Sequence, residues 1–200
     1  MIRLETISLS AWLLLGSATA LIIALAVWLG LWFRARQKKR ALRARIEAVS
    51  LAHMQDVIVS DGNDGWFHLD FVLLTRRGIV VLDLRDVAGM IFGGEQMTEW
   101  TVMQKQRRFT FPNPLNTLYD RMAVVRSLAG EDVPVDGRVV FSARGQFPKG
   151  QPPSVTLLAR LADSLGQETD PDSQDMVETR LRPAWERIQS AATLSPLRRL

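Results

Sequence analysis

The chain has no cysteine, and histidine occurs only twice in 200 residues, as His53 and His68. Without cysteine there is no disulfide framework and no thiolate zinc site, which agrees with a body held in the cytoplasm. The two histidines are too isolated in sequence to suggest a zinc pair. They also leave too little for a Ser-His-Asp set, and no glycine-rich phosphate loop of the Walker type is present. Internal repeats are lacking as well. The most informative absence is of charge: residues 6–33 contain no Asp, Glu, Lys or Arg.

An apolar stretch of about 18 residues or more reads as a transmembrane helix, because in lipid only a helix satisfies its own backbone. Residues 11–33 would rise about 34 Å at about 1.5 Å per residue, against a hydrocarbon core of about 30 Å. Trp12 lies near one end and Trp28 and Trp32 near the other, where indoles prefer the interface. A cationic run follows at once, with Arg34, Arg36, Lys38, Lys39, Arg40, Arg43 and Arg45, while only Arg3 and Glu5 precede the stretch. The positive-inside bias therefore predicts a single-pass protein of the cell (inner) membrane, its N-terminus outside and the rest cytoplasmic. Ala18-Thr19-Ala20 resembles a signal-peptide cleavage site, but cleavage there would leave Leu21-Ile22-Ile23, still strongly apolar. The net charge of +4 owes much to the cationic run. That run is a topology determinant drawn to anionic headgroups, worth about 1 kcal/mol per basic residue near the surface, or a phosphate-binding strip for nucleic acid.

The expected organisation is a short segment over 1–10, a transmembrane helix over 11–33, a basic juxtamembrane region over 34–45, an α/β domain over 46–165, and a linker with an amphipathic helix over 166–200. About 155 residues lie beyond the anchor, enough for one domain with its own core. Within them, residues 34–54 read as a helix continuing out of the membrane. Strands are expected at 56–60, 67–75 and 79–84, separated by the turn Asp61-Gly62-Asn63-Asp64-Gly65 and the tight connection Arg76-Arg77-Gly78. The third of these is continuously apolar, as a strand covered on both faces should be. An edge hairpin carries Trp100 and Val102. Asn113-Pro114 starts a helix whose Leu115, Leu118, Met122, Val125 and Leu128 step by three and four until Gly130. A strand over 138–142, a Gly/Pro-rich loop over 145–153, a helix over 155–165, an acidic linker over 167–175 and a helix over 177–193 complete the chain. This order describes an α/β domain with a mixed central sheet flanked by helices.

Three residues could carry chemistry: Asp70, Asp83 and Arg85. Asp70 interrupts an apolar strand, and Asp83 and Arg85 close the next one with the i, i+2 spacing that points both to one face. If the two strands pair about residues 76–78, the acids approach one another. Two carboxylates at strand ends beside a cation can hold Mg²⁺ or Mn²⁺, hard ions that activate water and stabilise charge on a phosphate. The plainer reading is an ion pair of Asp83 with Arg85 or Arg77. Trp66, Trp100, Phe109 and Phe111 could stack on bases or simply close a core, and Lys105, Arg107 and Arg108 could touch phosphates or form a solvated hairpin tip.

Residues 68–89, from His68-Leu69-Asp70-Phe71 through Gly78-Ile79-Val80-Val81-Leu82-Asp83-Leu84-Arg85 to Gly89, resemble the core of the nuclease-related domain (NERD) family. That family has Ile-Asp-His, a strand, a glycine turn, and a hydrophobic strand ending Glu-x-Lys. Asn113-Pro114 and the strand Val139-Val140-Phe141 are similar too, so the resemblance covers about residues 45–145. It implies a restriction-endonuclease-like fold and metal-dependent phosphodiester cleavage. By position it implies that Asp70 is the first metal-binding acid, that Asp83 stands for the Glu and Arg85 for the Lys, and, weakly, that Glu47 is a further acid. The departures point to weakened or lost activity. Asp83 withdraws its carboxylate by about 1.5 Å relative to Glu, one C–C bond. Shifts of that size can cost on the order of a hundredfold in rate. Arg85 keeps the charge but cannot be deprotonated, and Phe71 replaces the family histidine.

Two functions compete. One is a membrane-anchored nuclease-like domain associated with nucleic acid, its metal-dependent cleavage weakened or lost. The other is a non-catalytic scaffold at the membrane that meets a protein partner through Leu181, Trp185 and Ile188 of the C-terminal helix.

Overall fold

The computed structural model describes residues 9–62, 65–165 and 173–195, without the side chains of 9–20, 35, 38, 39, 173 and 174. Two compact units divide between Ala44 and Arg45.

The first unit is the body of one long helix, α1 (Leu9–Glu47). Leu21, Ile22, Ile23, Leu25, Trp28, Trp32 and Phe33 are all exposed along it, and Arg36 lies over the Trp32 ring at 4.9 Å. The transmembrane span expected over 11–33 is not shown here. Its first ten positions lie outside the residues whose side chains are described, and among the described residues no helix is long and apolar enough to cross a membrane.

In the second unit, α1 stops at Glu47, earlier than the expected 54. The Val49 amide and the Ser50 hydroxyl both donate to the Ile46 carbonyl, and the Leu51 amide already donates to Leu74 O at 2.7 Å. Residues 52–54 are thereby taken into β1 (Ala52–Ser60), because β2 (Trp66–Thr75) is long enough to pair with all of it. β3 (Gly78–Arg85) follows antiparallel to β2 and is buried on both faces, as its apolar run predicts.

The chain then leaves for a second, four-stranded sheet, where only an edge hairpin was expected. It contains β4 (Gly89–Phe92), β5 (Glu99–Gln104) and β6 (Arg107–Pro112). Helix α2 (Pro114–Ala129) leads back to β7 (Val135–Phe141), parallel to β3. The short β8 (Gly145–Gln146) completes the second sheet beside β4. Residues 155–165 are not one helix. Val155 and Thr156 begin β9 (Val155–Leu157), an added parallel strand beside β7 that suits β-branched side chains, and only α3 (Leu161–Leu165) is α-helical there.

The C-terminal part comprises α4 (Ser173–Met176), a π-helical turn (Val177–Leu181), α5 (Arg182–Ala191) and β10 (Thr193–Leu194), which pairs with β1. Residues 166–172 of the expected acidic linker lie outside the described residues. The six-stranded sheet therefore runs β10-β1-β2-β3-β7-β9, mixed in direction and flanked by helices.

One core holds this together. Leu115, Leu118 and Val125 of α2 pack with Ile79, Val81 and Val139 of the sheet, each large side chain worth about 1.5–3 kcal/mol on burial. Leu181, Ala184, Trp185 and Ile188 belong to the same core. The apolar stripe expected to meet a protein partner is thus consumed inside its own domain. Trp100 is fully buried, stacked on Phe141 and donating to Gly94 O, so it is core and cannot stack on a base. Gly93 is obligatory beneath it, since a Cβ there would sit 2.1 Å from the indole. Asn113 caps α2 by accepting from the Leu115 amide, and its amide nitrogen donates to the Glu95 and Met97 carbonyls.

Candidate functional site

The site is built by the register of three neighbouring strands. Around the Arg76-Arg77 turn, β2 and β3 pair from Thr75↔Gly78 to Phe71↔Leu82. Gly78 is required at the turn, with φ +143° and Pro134 O only 2.3 Å from where a Cβ would lie. One step beyond the last pair, Asp70 stands opposite Asp83. The ladder has ended there, and Asp70 Oδ2 instead accepts from the Leu84 amide at 2.9 Å. On the other side, Gln55↔Phe71 and Val57↔Leu69 leave Asp56 opposite Asp70. Three carboxylates, Asp56, Asp70 and Asp83, therefore lie in a row across β1, β2 and β3. Like charges directly opposite one another are destabilising, so the row calls for cations.

At the inner end the cations are guanidiniums. Asp83, with 2% of its side chain exposed, receives Arg85 Nη2 on Oδ2 at 2.8 Å and Arg121 Nη1 on Oδ1 at 3.1 Å. Burial pushes the Asp83 carboxyl above its ordinary 3.8, the nearby Asp70 charge adds to this, and the two arginines oppose it. Arg85 Nε is buried without a hydrogen-bond partner, while Arg121 Nη1 meets Asp83 as an ion pair.

At the outer end the counter-group is an imidazole. His68 Nδ1 lies 3.4 Å from Asp70 Oδ1, and Nε2 lies 3.7 Å from Asp56 Oδ1. One donor atom from each of Asp56, His68 and Asp70 falls within 4.8 Å of the others. Asp56 holds φ +52°, a left-handed conformation uncommon outside glycine.

The structure thus brings Asp70, midway along β2, opposite Asp83 near the end of β3, with Arg85 on Asp83. The simple ion pair also weighed from sequence is present, but buried and shared with Arg121. As a metal pair, Asp70 and Asp83 fit poorly in this arrangement, because both Asp83 oxygens already face guanidiniums. Asp56, His68 and Asp70 offer the better donor set. Glu47 is exposed at the end of α1 and is not part of the row.

Sequence reasoning missed Arg121, Asp56 and His68. Arg121 had a signal: it lies three residues after Leu118 and four before Val125, on the apolar side of its helix. His68 had one too, since its i, i+2 spacing puts it on the same strand face as Asp70. Asp56 had none, because its left-handed backbone leaves no mark in the residue pattern.

The row, both arginines and the Asn113 cap all fall within residues 34–142, which match the nuclease-related domain over more than half of the chain. The chain belongs to the nuclease-related domain (NERD) family. No curated protein and no solved structure matches it. Within the nuclease-related domain, the β5–β6 hairpin carries exposed Arg107, Arg108 and a half-exposed Phe109 side by side. Trp66 is exposed at the start of β2.

Proposed function

We propose that this nuclease-related domain is restriction-endonuclease-like and engages nucleic acid through its phosphates, with Asp70, Asp83 and Arg85 as the reaction end of the site and cleavage strongly weakened. The observation that carries this reading is the alignment of Asp70 in β2 with Asp83 in neighbouring β3, with Arg85 and Arg121 on Asp83. Arg85 and Arg121 present fixed guanidiniums suited to a phosphate oxygen and to charge growing on it. Asp70 keeps Oδ1 on the side away from Asp83, toward His68, where a cation can be accepted. A divalent ion held there would polarise a phosphate and lower the pKa of a bound water.

Weakening follows from the same geometry. Asp83 is short by one methylene against the family Glu, and a cation reaching it must displace at least one guanidinium. Arg85 stabilises charge but supplies no base. Arg107 and Arg108 on the hairpin and the cationic run after residue 33 add sequence-independent attraction to a polyanion.

The helix α1 supports a membrane attachment for the domain, since its apolar residues from Leu21 to Phe33 are exposed and cations follow. In this reading the N-terminus lies outside and the nuclease-related domain faces the cytoplasm. The binding test is fluorescence anisotropy of the full chain in detergent with labelled single- and double-stranded DNA and RNA. The expected result is binding at low salt that weakens steeply as salt rises; no binding at any salt overturns the proposal. Protease digestion of sealed inverted vesicles tests the topology: the domain should be cut, and full protection contradicts it.

A further inference from the structure

We infer that the metal centre of this protein is the Asp56–His68–Asp70 cluster on β1 and β2, and that it takes a divalent transition ion in preference to Mg²⁺. This rests on the proposed placement of a cation at Asp70, but not on cleavage or nucleic-acid binding. It moves the ion to the opposite side of Asp70 from Asp83.

The chemistry of the donors decides the ion. Two carboxylate oxygens and one imidazole nitrogen suit Mn²⁺ or Zn²⁺, whereas Mg²⁺ favours an all-oxygen, water-rich shell. His68 Nε2 is buried, makes no hydrogen bond, and lies 3.7 Å from Asp56 Oδ1. An orphaned imidazole nitrogen carries a desolvation cost that an ion would offset. Donors bound to one ion at about 2.0–2.2 Å sit about 2.8–3.6 Å apart at bond angles of about 90–110°. The two short spacings, 3.4 and 3.7 Å, belong to different ring nitrogens, of which one ion takes one; a single donor atom from each residue still lies within 4.8 Å of the others, so capture draws the three inward by about 1 Å. The side chains of His68, Asp56 and Asp70 remain 26, 17 and 15% exposed, which gives an ion a way in.

The surroundings agree. Asp56 and Asp70 are opposite one another across paired strands, and among the described residues neither forms an ion pair with lysine or arginine. Their only ionic partner there is His68. Asp83, by contrast, has two guanidiniums and no need of a metal. Asp70 Oδ2 is fixed by the Leu84 amide, which leaves Oδ1 aimed at the cluster. The competing account is that His68 is an imidazolium neutralising both acids with no ion bound.

The test uses the full-length protein in detergent micelles with Mn²⁺ as the probe. Calorimetry should show Mn²⁺ binding that survives excess Mg²⁺, and pulsed EPR of the bound Mn²⁺ should show coupling to an imidazole nitrogen. His68→Gln should abolish that coupling, and His68→Gln and Asp56→Asn should each weaken Mn²⁺ by about 10–100-fold. Asp83→Asn should leave the coupling in place. Bound Mn²⁺ without nitrogen coupling in the unaltered protein overturns the inference whatever the variants do. So does an affinity that depends on Asp83 but not on His68; that result would leave the nucleic-acid reading intact. Absence of Mn²⁺ and Zn²⁺ binding in calorimetry favours the imidazolium and also overturns it. Nitrogen-coupled Mn²⁺ in a protein that binds no nucleic acid would sustain the inference and sink the proposed function instead.

Discussion

The two ends of the acid row meet one electrostatic problem with different means. At Asp83 the carboxylate is buried and held by two always-charged guanidiniums from β3 and α2. At Asp56 and Asp70 the carboxylates stay partly exposed and share one imidazole. The first end is closed by protein charge; the second is open to an external cation. Asp70 belongs to both, giving Oδ2 to the backbone beside Asp83 and Oδ1 to His68. On the proposed reading, a row whose middle member serves a fixed end and an open end binds nucleic acid and cleaves it slowly.

The largest expected effect is at the closed end. Arg121→Met strips one partner from a buried carboxylate and should cost about 3 kcal/mol of stability in urea denaturation. The double variant Asp83→Leu with Arg121→Met should regain most of that loss, because replacing both members of a buried pair is close to neutral. If the double variant is no better than the single one, the pair is not what Arg121 contributes. Restoring the family pattern with Asp83→Glu and Arg85→Lys should raise DNA nicking in Mn²⁺ by about a hundredfold. An unchanged rate would show that the closed end does not limit cleavage.

At the open end, Asp56→Gly removes a left-handed residue and one of two opposed charges, and should stabilise the metal-free protein by about 1 kcal/mol in thermal melts. A loss of stability there would show that the repulsion is already compensated. The smallest effect lies away from the row. Arg107→Gln with Arg108→Gln should lower the salt slope of nucleic-acid binding by about 2, with stability unchanged within about 0.5 kcal/mol. An unaltered slope would remove the hairpin from the binding face.

Much of this was legible in the residues, for local reasons. The Arg76-Arg77-Gly78 turn and the two apolar runs beside it define a hairpin, and the hairpin alone sets Asp70 against Asp83. The doubly buried β3 was plain from Ile79-Val80-Val81-Leu82, and α2 from its step of three and four. What escaped depends on contacts distant in sequence. Arg121 meets Asp83 only because α2 returns across the sheet. Residues 52–54 and 155–157 became strands because a neighbouring edge was free to pair with them, which overrode the helical reading of each segment. The second sheet was read as an edge hairpin because the partner of β4 that completes it, Gly145-Gln146, lies in what looks like a loop. Trp100, weighed as a base-stacking residue, is core because Gly93 leaves room for its ring.

The most direct test of the account is the nicking of supercoiled plasmid DNA by the full chain in Mn²⁺, comparing the unaltered protein with Asp70→Asn. Slow nicking is expected of the former and none of the latter, with both proteins still bound to DNA at low salt. Nicking that persists undiminished in Asp70→Asn would contradict it.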